Sequence, residues 1–380
     1  MNQSALTILW ICSWYPNDED PFRGDFIQRQ AEALSYQMDF ELAHFVEYSS
    51  KNETQYTNIL NQSHATLGYS KTKNRLLSFR AQWKFYNRVL QDFIKEKGKP
   101  DLIHLHIPWK AGFVARYWLK KYDIPYVVSE HYGIYNKISA DNFFTKSKRV
   151  QKYYRKIISS ARQLITVSES LGKEMKAIFN KPFLTIPNVV NTDSFYFKNK
   201  TVTETFDLLH ISNMYPIKNT DKIINAFAQA FNKDSSLRLH LVGAEPREIV
   251  KQINKLTCRE AISIQGEVTY EYVGSIMQEK HAFILFSDWE TQSCVALEAL
   301  CSGRPVITSR VGGVQELINA QNGILVSSGD EQQLVDAILE LKNNYSQFNL
   351  EQIATDAQEK YAYDTVAKKL IELYQNVLSS

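Results

Sequence analysis

The sequence predicts an α/β protein of two domains, and three observations lead there. Short apolar runs of the kind buried parallel strands show are separated by longer amphipathic segments suited to crossover helices. The 380 residues are long for a single hydrophobic core. The hydrophobic fraction of 44% and charged fraction of 22% are ordinary for a soluble globular chain.

Taken in order, Leu6 to Cys12 reads as a buried first strand. Ser13 to Arg23 is a loop of turn residues, and Gly24 precedes a helix over Asp25 to Leu34. Gly24 is also a position where backbone could approach a phosphate. Asp18-Glu19-Asp20 mimics an Asp-x-Asp metal motif but reads as a solvated loop. Residues 39–46 alternate as a second strand, and 50–75 is polar and irregular. Leu76 to Lys95 reads as an amphipathic helix with Trp83, Phe85, Leu90 and Phe93 available to pack.

Asp101 to Ile107 is the next strand, with His104 and His106 on one face at period two. Lacking a third ligand at suitable spacing, they read as buried, hydrogen-bonded histidines rather than a metal pair. Tyr126 to Ser129 is another strand, and Glu130-His131-Tyr132-Gly133 follows at its carboxyl end. Open parallel sheets bind ligands at that end, which singles out His131. Thr145 to Ala161 is a basic amphipathic helix. It suits an anionic membrane surface or acceptor, and equally a solvated helix packed on one face. Leu164 to Val167 is a strand, and Ser168 caps the helix that follows. The composition turns polar and charged near 192–205, where an interdomain linker is expected.

The second domain opens with a strand at Leu208 to Ser212, then Asn-Met-Tyr-Pro-Ile-Lys-Asn. Further strands are expected at Leu237 to Val242 and Ile262 to Ile264. The most informative stretch is 281–317. His281 to Phe286 reads as a strand buried on both faces, and Asp288 to Gln292 as a polar loop. A helix over Cys294 to Cys301 is capped by Ser293 or Thr291 and ends at Gly303, before Pro305. Val306 to Thr308 is the next strand, and Gly312-Gly313 opens a turn. A final helix runs from Tyr363 to Leu378.

Glu298 stands in an almost wholly apolar helical run, where a carboxylate costs several kcal/mol unless hydrogen-bonded. Glu290 lies eight residues earlier, at the strand's carboxyl end. One reading pairs Glu298 with an internal cation and leaves Glu290 solvated. The other has both accept hydrogen bonds from ligand hydroxyls, with the free N–H groups of Thr291, Gln292, Ser293 and Cys294 holding a phosphate between them. Two polyol sites flanking an anion site describe a nucleotide sugar. Cys294 is not read as a catalytic thiolate, since no base is evident beside it.

The motifs then carry a resemblance. Glu-x7-Glu at 290–298, with Ala-Leu-Cys-Ser-Gly-Arg-Pro-Val-Ile and Val-Gly-Gly-Val-Gln-Glu after it, resembles the donor-site signature of the GT-B glycosyltransferases of family 4, the retaining group 1 enzymes. Ser-Trp-Tyr-Pro with Arg-Gly-Asp-Phe-Ile-x-x-Gln is similar to their sugar-polymer branch. The resemblance implies two Rossmann-like domains facing each other across a cleft: an acceptor-side domain over 1–195, a donor domain over 196–362, and a helix at 363–380 crossing back to the first. It implies sugar transfer from a UDP- or GDP-linked donor to a saccharide or lipid-linked acceptor, with retention and without metal or cofactor. It assigns Glu298 to the ribose, Glu290 to the sugar hydroxyls, Lys218 to the diphosphate, Val268 to the base and His131 to the neighbourhood of the anomeric carbon. Asn213 stands where the family has an Arg, leaving Lys218 or Arg310 to supply the charge. An epimerase or phosphorylase on the same fold, or a non-catalytic partner subunit, are the alternatives.

Charge is uneven: residues 1–190 carry 27 Lys and Arg against 17 Asp and Glu, and the remainder 17 against 24. A basic front half implies an anionic acceptor or surface, with no nucleic-acid motif beside it. Four cysteines without regular spacing imply reduced thiols and a cytoplasmic setting, with peripheral contact on the inner membrane face as an extension. The absence of a P-loop, GxSxG or HExxH argues against NTPase, serine hydrolase and zincin chemistry.

Overall fold

The computed structural model describes residues 6–59, 63–138, 141–201 and 204–379. They form two compact units, Met1–Val189 with Tyr363–Ser380, and Val190–Ala362.

The first unit is built on strands β1 (Ile8–Cys12), β2 (Glu41–Glu47), β3 (Thr54–Asn58), β4 (His64–Ser70), β5 (Leu102–His106), β6 (Tyr126–Glu130), β7 (Leu164–Thr166) and β8 (Phe183–Thr185). They lie in the order β3-β4-β2-β1-β5-β6-β7-β8, with only β3 antiparallel to its neighbour. Helices α1 (Asp25–Ser35), α2 (Arg75–Lys97), α3 (Ala111–Tyr122), α4 (Lys148–Ser160) and α5 (Glu169–Phe179) connect them. The central strands β1, β5 and β6 are buried along their whole length, as their apolar runs require. Asn74 caps α2 by accepting from Leu76 and Leu77 N–H, and Ser168 caps α5 by accepting from Leu171 N–H.

The hairpin β3–β4 falls within the stretch expected to be irregular, part of which (60–62) lies outside the described residues. Its outer strand, Thr-Gln-Tyr-Thr-Asn, is polar because it forms an edge, so it lacks the apolar signature of the inner strands. Asp18 and Glu19 act as loop staples, Asp18 to Lys51 and Glu19 to Ser49 Oγ and Ser50 N–H.

The second unit is a six-stranded, all-parallel sheet of β9 (Phe206–Ser212), β10 (Leu237–Gly243), β11 (Ile262–Gln265), β12 (Ala282–Leu285), β13 (Val306–Ser309) and β14 (Gly323–Val326). Its order is β11-β10-β9-β12-β13-β14. Helices α6 (Thr220–Lys233), α7 (Arg247–Asn254), α8 (Tyr270–Gln278), α9 (Cys294–Cys301), α10 (Glu331–Asn343) and α11 (Leu350–Tyr361) surround it. The last helix, α12 (Tyr363–Ser379), belongs to the first unit and packs on α1.

The unit boundary falls at 189/190 rather than 195/196. Val190 N–H donates to Tyr361 O at 2.9 Å, and Phe195 is fully buried in the second core. The segment expected as a linker is tied down as far as it is described: the buried Arg304 donates to Lys198 O, and His281 Nε2 lies 3.3 Å from Thr201 O. Residues 202 and 203 lie outside the described residues.

Candidate active site

In the second unit the chain runs outward from β9 to β10 and β11, then returns to place β12 on the other side of β9. That reversal makes the carboxyl ends of β9 and β12 the topological switch point, where an open parallel sheet leaves a crevice for a ligand. The loops that follow those two strands carry Lys218 and Glu290. Their side chains, 72 residues apart in sequence, meet with Lys218 Nζ donating to Glu290 Oε1 at 2.6 Å. Ser287 Oγ donates to the same oxygen at 2.7 Å. Glu290 is therefore a buried, partnered carboxylate rather than a solvated one.

The two loops are stapled by backbone and amide bonds. Asp288 N–H donates to Ile217 O at 2.9 Å, and Asn219 Nδ2 reaches Phe286 O at 3.0 Å and Asp288 Oδ1 at 2.7 Å. Beneath them His210 is fully buried, with Nδ1 against Ile284 O and Nε2 against Ser212 Oγ and Thr220 Oγ1. Burial first, and then the nearby Lys218 charge, lower its pKa to about 4. A neutral His210 holds Ser212 Oγ, which in turn accepts from Met214 N–H at 3.0 Å. Asn213 is exposed, and its Oδ1 accepts from Tyr215 N–H at 3.3 Å.

The loop after β13 closes on the same point. Gly313 N–H donates to Glu290 O at 2.9 Å. Gly312 has φ +44, and a Cβ there would stand 2.0 Å from Glu290 O. Gly312 is thus required both by its left-handed backbone and by the close approach of the Glu290 loop. Ser293 caps α9 through Ala296 N–H, and the helix stops at Gly303 with φ +72. Thr291 and Cys294 are partly exposed, whereas Gln292 and Ser293 are buried. Glu298 lies on α9 at 3% exposure, and its charge adds to burial in raising the Cys301 thiol. The neighbouring guanidinium, Arg304, is engaged by Lys198 O and Tyr345. Trp289 Nε1, beside Glu290, is buried without a hydrogen-bond partner among the described residues. Val268 follows β11 and packs partly buried on the core. Arg310 is exposed and borders a cavity of about 300 Å³ with Ile318, Leu325 and Phe348.

The first unit has its own switch point between β1 and β5. Ser13, after β1, donates through N–H to His106 O at 3.0 Å and through Oγ to Ile107 O at 2.7 Å. Gly24 has φ +76, and a Cβ there would meet Trp14 C at 2.9 Å, so packing of its own loop already demands glycine. His131 is buried after β6, stacked on His106 and 4.9 Å from the Phe26 ring. Burial lowers its pKa to about 3, with Asn188 opposing. His104 bonds Tyr374 OH and Ser129 Oγ, at 2.6 and 2.7 Å. The histidines at 104 and 106 are buried, as expected, and a third ring, His131, joins them. Among the described residues no group of three His, Cys, Asp or Glu is arranged to hold a metal ion.

Sequence reasoning passed over Glu130. Its side chain is 1% exposed and accepts from His131 and Tyr132 N–H, each at 2.9 Å, and from Tyr135 OH. Burial pushes its carboxyl up to about 7. An acidic residue closing an apolar strand was the available signal.

Two family models tile most of this chain. One described as "Glycosyltransferase Family 4" matches residues 43–194, and one described as "Glycosyl transferases group 1" matches 205–344. The chain belongs to the group 1, family 4 glycosyltransferases. Its curated relatives include an uncharacterized glycosyltransferase of Methanocaldococcus jannaschii, 26% identical over 79% of this chain and 80% of the relative. Among solved structures, the glycosyltransferase is similar to a sucrose-phosphate synthase of Thermosynechococcus elongatus. The TM-score is 0.81 at 18% identity, over 98% and 99% of the two chains. It is also similar to Anabaena HepE in complex with UDP and glucose, with TM-score 0.73 at 16% identity, over 98% and 100% of the chains. The GT-B architecture of paired Rossmann-like domains is that of these neighbours.

Proposed function

We propose that this glycosyltransferase moves a sugar from a nucleoside-diphosphate sugar, UDP- or GDP-linked, to a saccharide or lipid-linked acceptor, with retention and without a metal ion. The observation that carries the reading is the Lys218–Glu290 pair at the β9/β12 switch point. A cation beside a hydroxyl acceptor at a switch point supports a site for a diphosphate and its sugar side by side. The neighbour holding UDP and glucose supports a donor of that class.

On this reading Lys218 turns from Glu290 to the diphosphate, joined by the N–H groups of Thr291 to Cys294, while Glu290 holds the sugar hydroxyls. Glu298 accepts from the ribose, and the backbone near Val268 meets the base. Asn213 offers hydrogen bonds without charge, which leaves Lys218 as the principal cation. In the first unit, neutral His131 borders the anomeric carbon and Gly24 lets backbone approach the phosphate. The bond from the anomeric carbon to the β-phosphate oxygen breaks, and the acceptor oxygen bonds the same face. The acceptor's proton passes to the leaving phosphate oxygen, so Glu290 positions rather than deprotonates.

The test is a panel of UDP- and GDP-sugars read by melting shift on the wild type and on Glu298→Gln, whose amide turns one acceptor oxygen into a donor. A shift with one nucleotide class that shrinks in the variant is expected, since ligand at 100 times Kd contributes about 2.7 kcal/mol. No shift with any nucleotide sugar favours the non-catalytic reading, to which the missing Arg at 213 points. Release of a free epimer, or dependence on inorganic phosphate, instead identifies an epimerase or a phosphorylase.

A further inference from the structure

Three stretches of the first unit share a peculiar composition. Residues 71–88 hold six Lys or Arg, 109–121 hold four and 144–162 hold seven, and none of the three holds an Asp or Glu. They correspond to the first half of α2, to α3 and to α4 with its approach. Two carboxylates from outside these stretches, Glu47 and Asp141, are paired with Lys110 and Lys146.

The fold joins these stretches through a run of aromatic rings. Phe79 of α2 lies 5.8 Å from Phe113 of α3, and Phe113 lies 4.5 Å from Tyr153 of α4. The rings continue to the surface instead of closing it: Leu76 is 74% exposed, Leu77 51% and Tyr153 44%. Arg75 and Arg149 stand one helical turn before Phe79 and Tyr153, on the same stripes. A soluble face has no use for adjacent leucines presented to water at the head of a helix. A purely polyanionic partner would need the cations but not the leucines. Hydrocarbon beneath a layer of negative headgroups needs both.

We propose that the α2–α3–α4 face is a membrane-docking surface that seats this unit on an anionic phospholipid bilayer, with Leu76, Leu77 and the flanking aromatics entering the interface and Arg75, Arg80, Arg149 and Lys152 meeting headgroups. The inference deepens the lipid-linked acceptor reading and rests on it for its purpose. Vesicle binding requires no catalysis, so its failure and the failure of the donor assignment are separately visible.

The experiment is co-sedimentation of the full chain with phosphatidylcholine vesicles, with and without phosphatidylglycerol, for the wild type, Leu76→Ser/Leu77→Ser and Arg75→Glu/Arg149→Glu. The four residues are exposed, so both variants should melt with the wild type. Binding that requires phosphatidylglycerol, weakens with salt and falls at least about tenfold in each variant is expected. A wild type that ignores phosphatidylglycerol overturns the proposal whatever the variants do. A leucine variant that binds as well as the wild type overturns it too, since simple polyanion attraction would then suffice. So would a dimer in light scattering that the leucine variant dissociates, which would make the face a contact between copies.

Discussion

Replacing Glu290 by Ala separates the two tasks assigned to the Lys218–Glu290 pair. The substitution removes an oxygen that accepts from Lys218 at 2.6 Å and from Ser287 at 2.7 Å. A hydrogen bond to a charged group contributes about 1.5–3 kcal/mol. The Lys218 side chain keeps 21% of its exposure, so water recovers part of that loss. The expected cost in stability is therefore about 2 kcal/mol, with a coupling of about 1 kcal/mol in a cycle with Lys218→Ala. Turnover is expected to suffer more. If Glu290 grips sugar hydroxyls that tighten as the glycosidic bond breaks, kcat falls by about 10²–10³-fold. Affinity for the nucleoside diphosphate should move the other way. Lys218, freed from its carboxylate, becomes available to phosphate, so product binding is expected to hold or to tighten a few-fold. The assays are denaturant unfolding, calorimetric titration with UDP and GDP, and release of nucleoside diphosphate from the donor that the melting panel selects. An unchanged kcat, or loss of nucleotide affinity in step with kcat, would refute the division of labour.

Two further outcomes follow from the geometry. Gly312→Ala places a methyl 2.0 Å from Glu290 O at a left-handed φ, so a loss of about 1–3 kcal/mol in unfolding is expected, with a fall in kcat as the Glu290 loop shifts. Normal stability and turnover would show that the approach relaxes without consequence. Buried histidines set the acid limb: the pKa of His210 is lowered to about 4 and that of His131 to about 3, so each contributes stability that is present above about 6.5 and lost as pH falls through its folded value. Glu130 acts oppositely. Its carboxyl is raised to about 7, so its contribution is fully present below its unfolded value and lost as pH rises through about 7. Glu130→Gln should therefore make the rise of stability with pH steeper between those limits, by up to about 3 kcal/mol, and a curve parallel to the wild type would contradict the burial argument.

Several of these features were legible before any fold was drawn. The end of β1 at Cys12 is the one read off its apolar run, because a strand buried along its whole length shows as an unbroken apolar stretch. The α9 boundaries, Ser293 before and Gly303 after, follow from local capping chemistry that needs no tertiary partner. Where burial is not two-sided the signal fails. The polar edge hairpin β3–β4 carries its pairing in the backbone, and Asp18 and Glu19 are explained only by Lys51, Ser49 and Ser50 across the loop.

The sequence by itself determined the α/β class, the family and the short list that includes Glu290, Glu298 and Lys218, since these depend on periodicity and on a motif contained within one stretch of chain. Only the tertiary structure decided who meets whom. That Lys218 lies on Glu290, that Gly312 exists to let the Glu290 loop pass, that His210 props the loop from below and that three separate basic stretches merge through Phe79, Phe113 and Tyr153 are facts about strand order and crossover. The physical reason is that hydrogen bonds and ring contacts reach only a few ångströms, while Lys218 and Glu290 stand 72 residues apart along the chain.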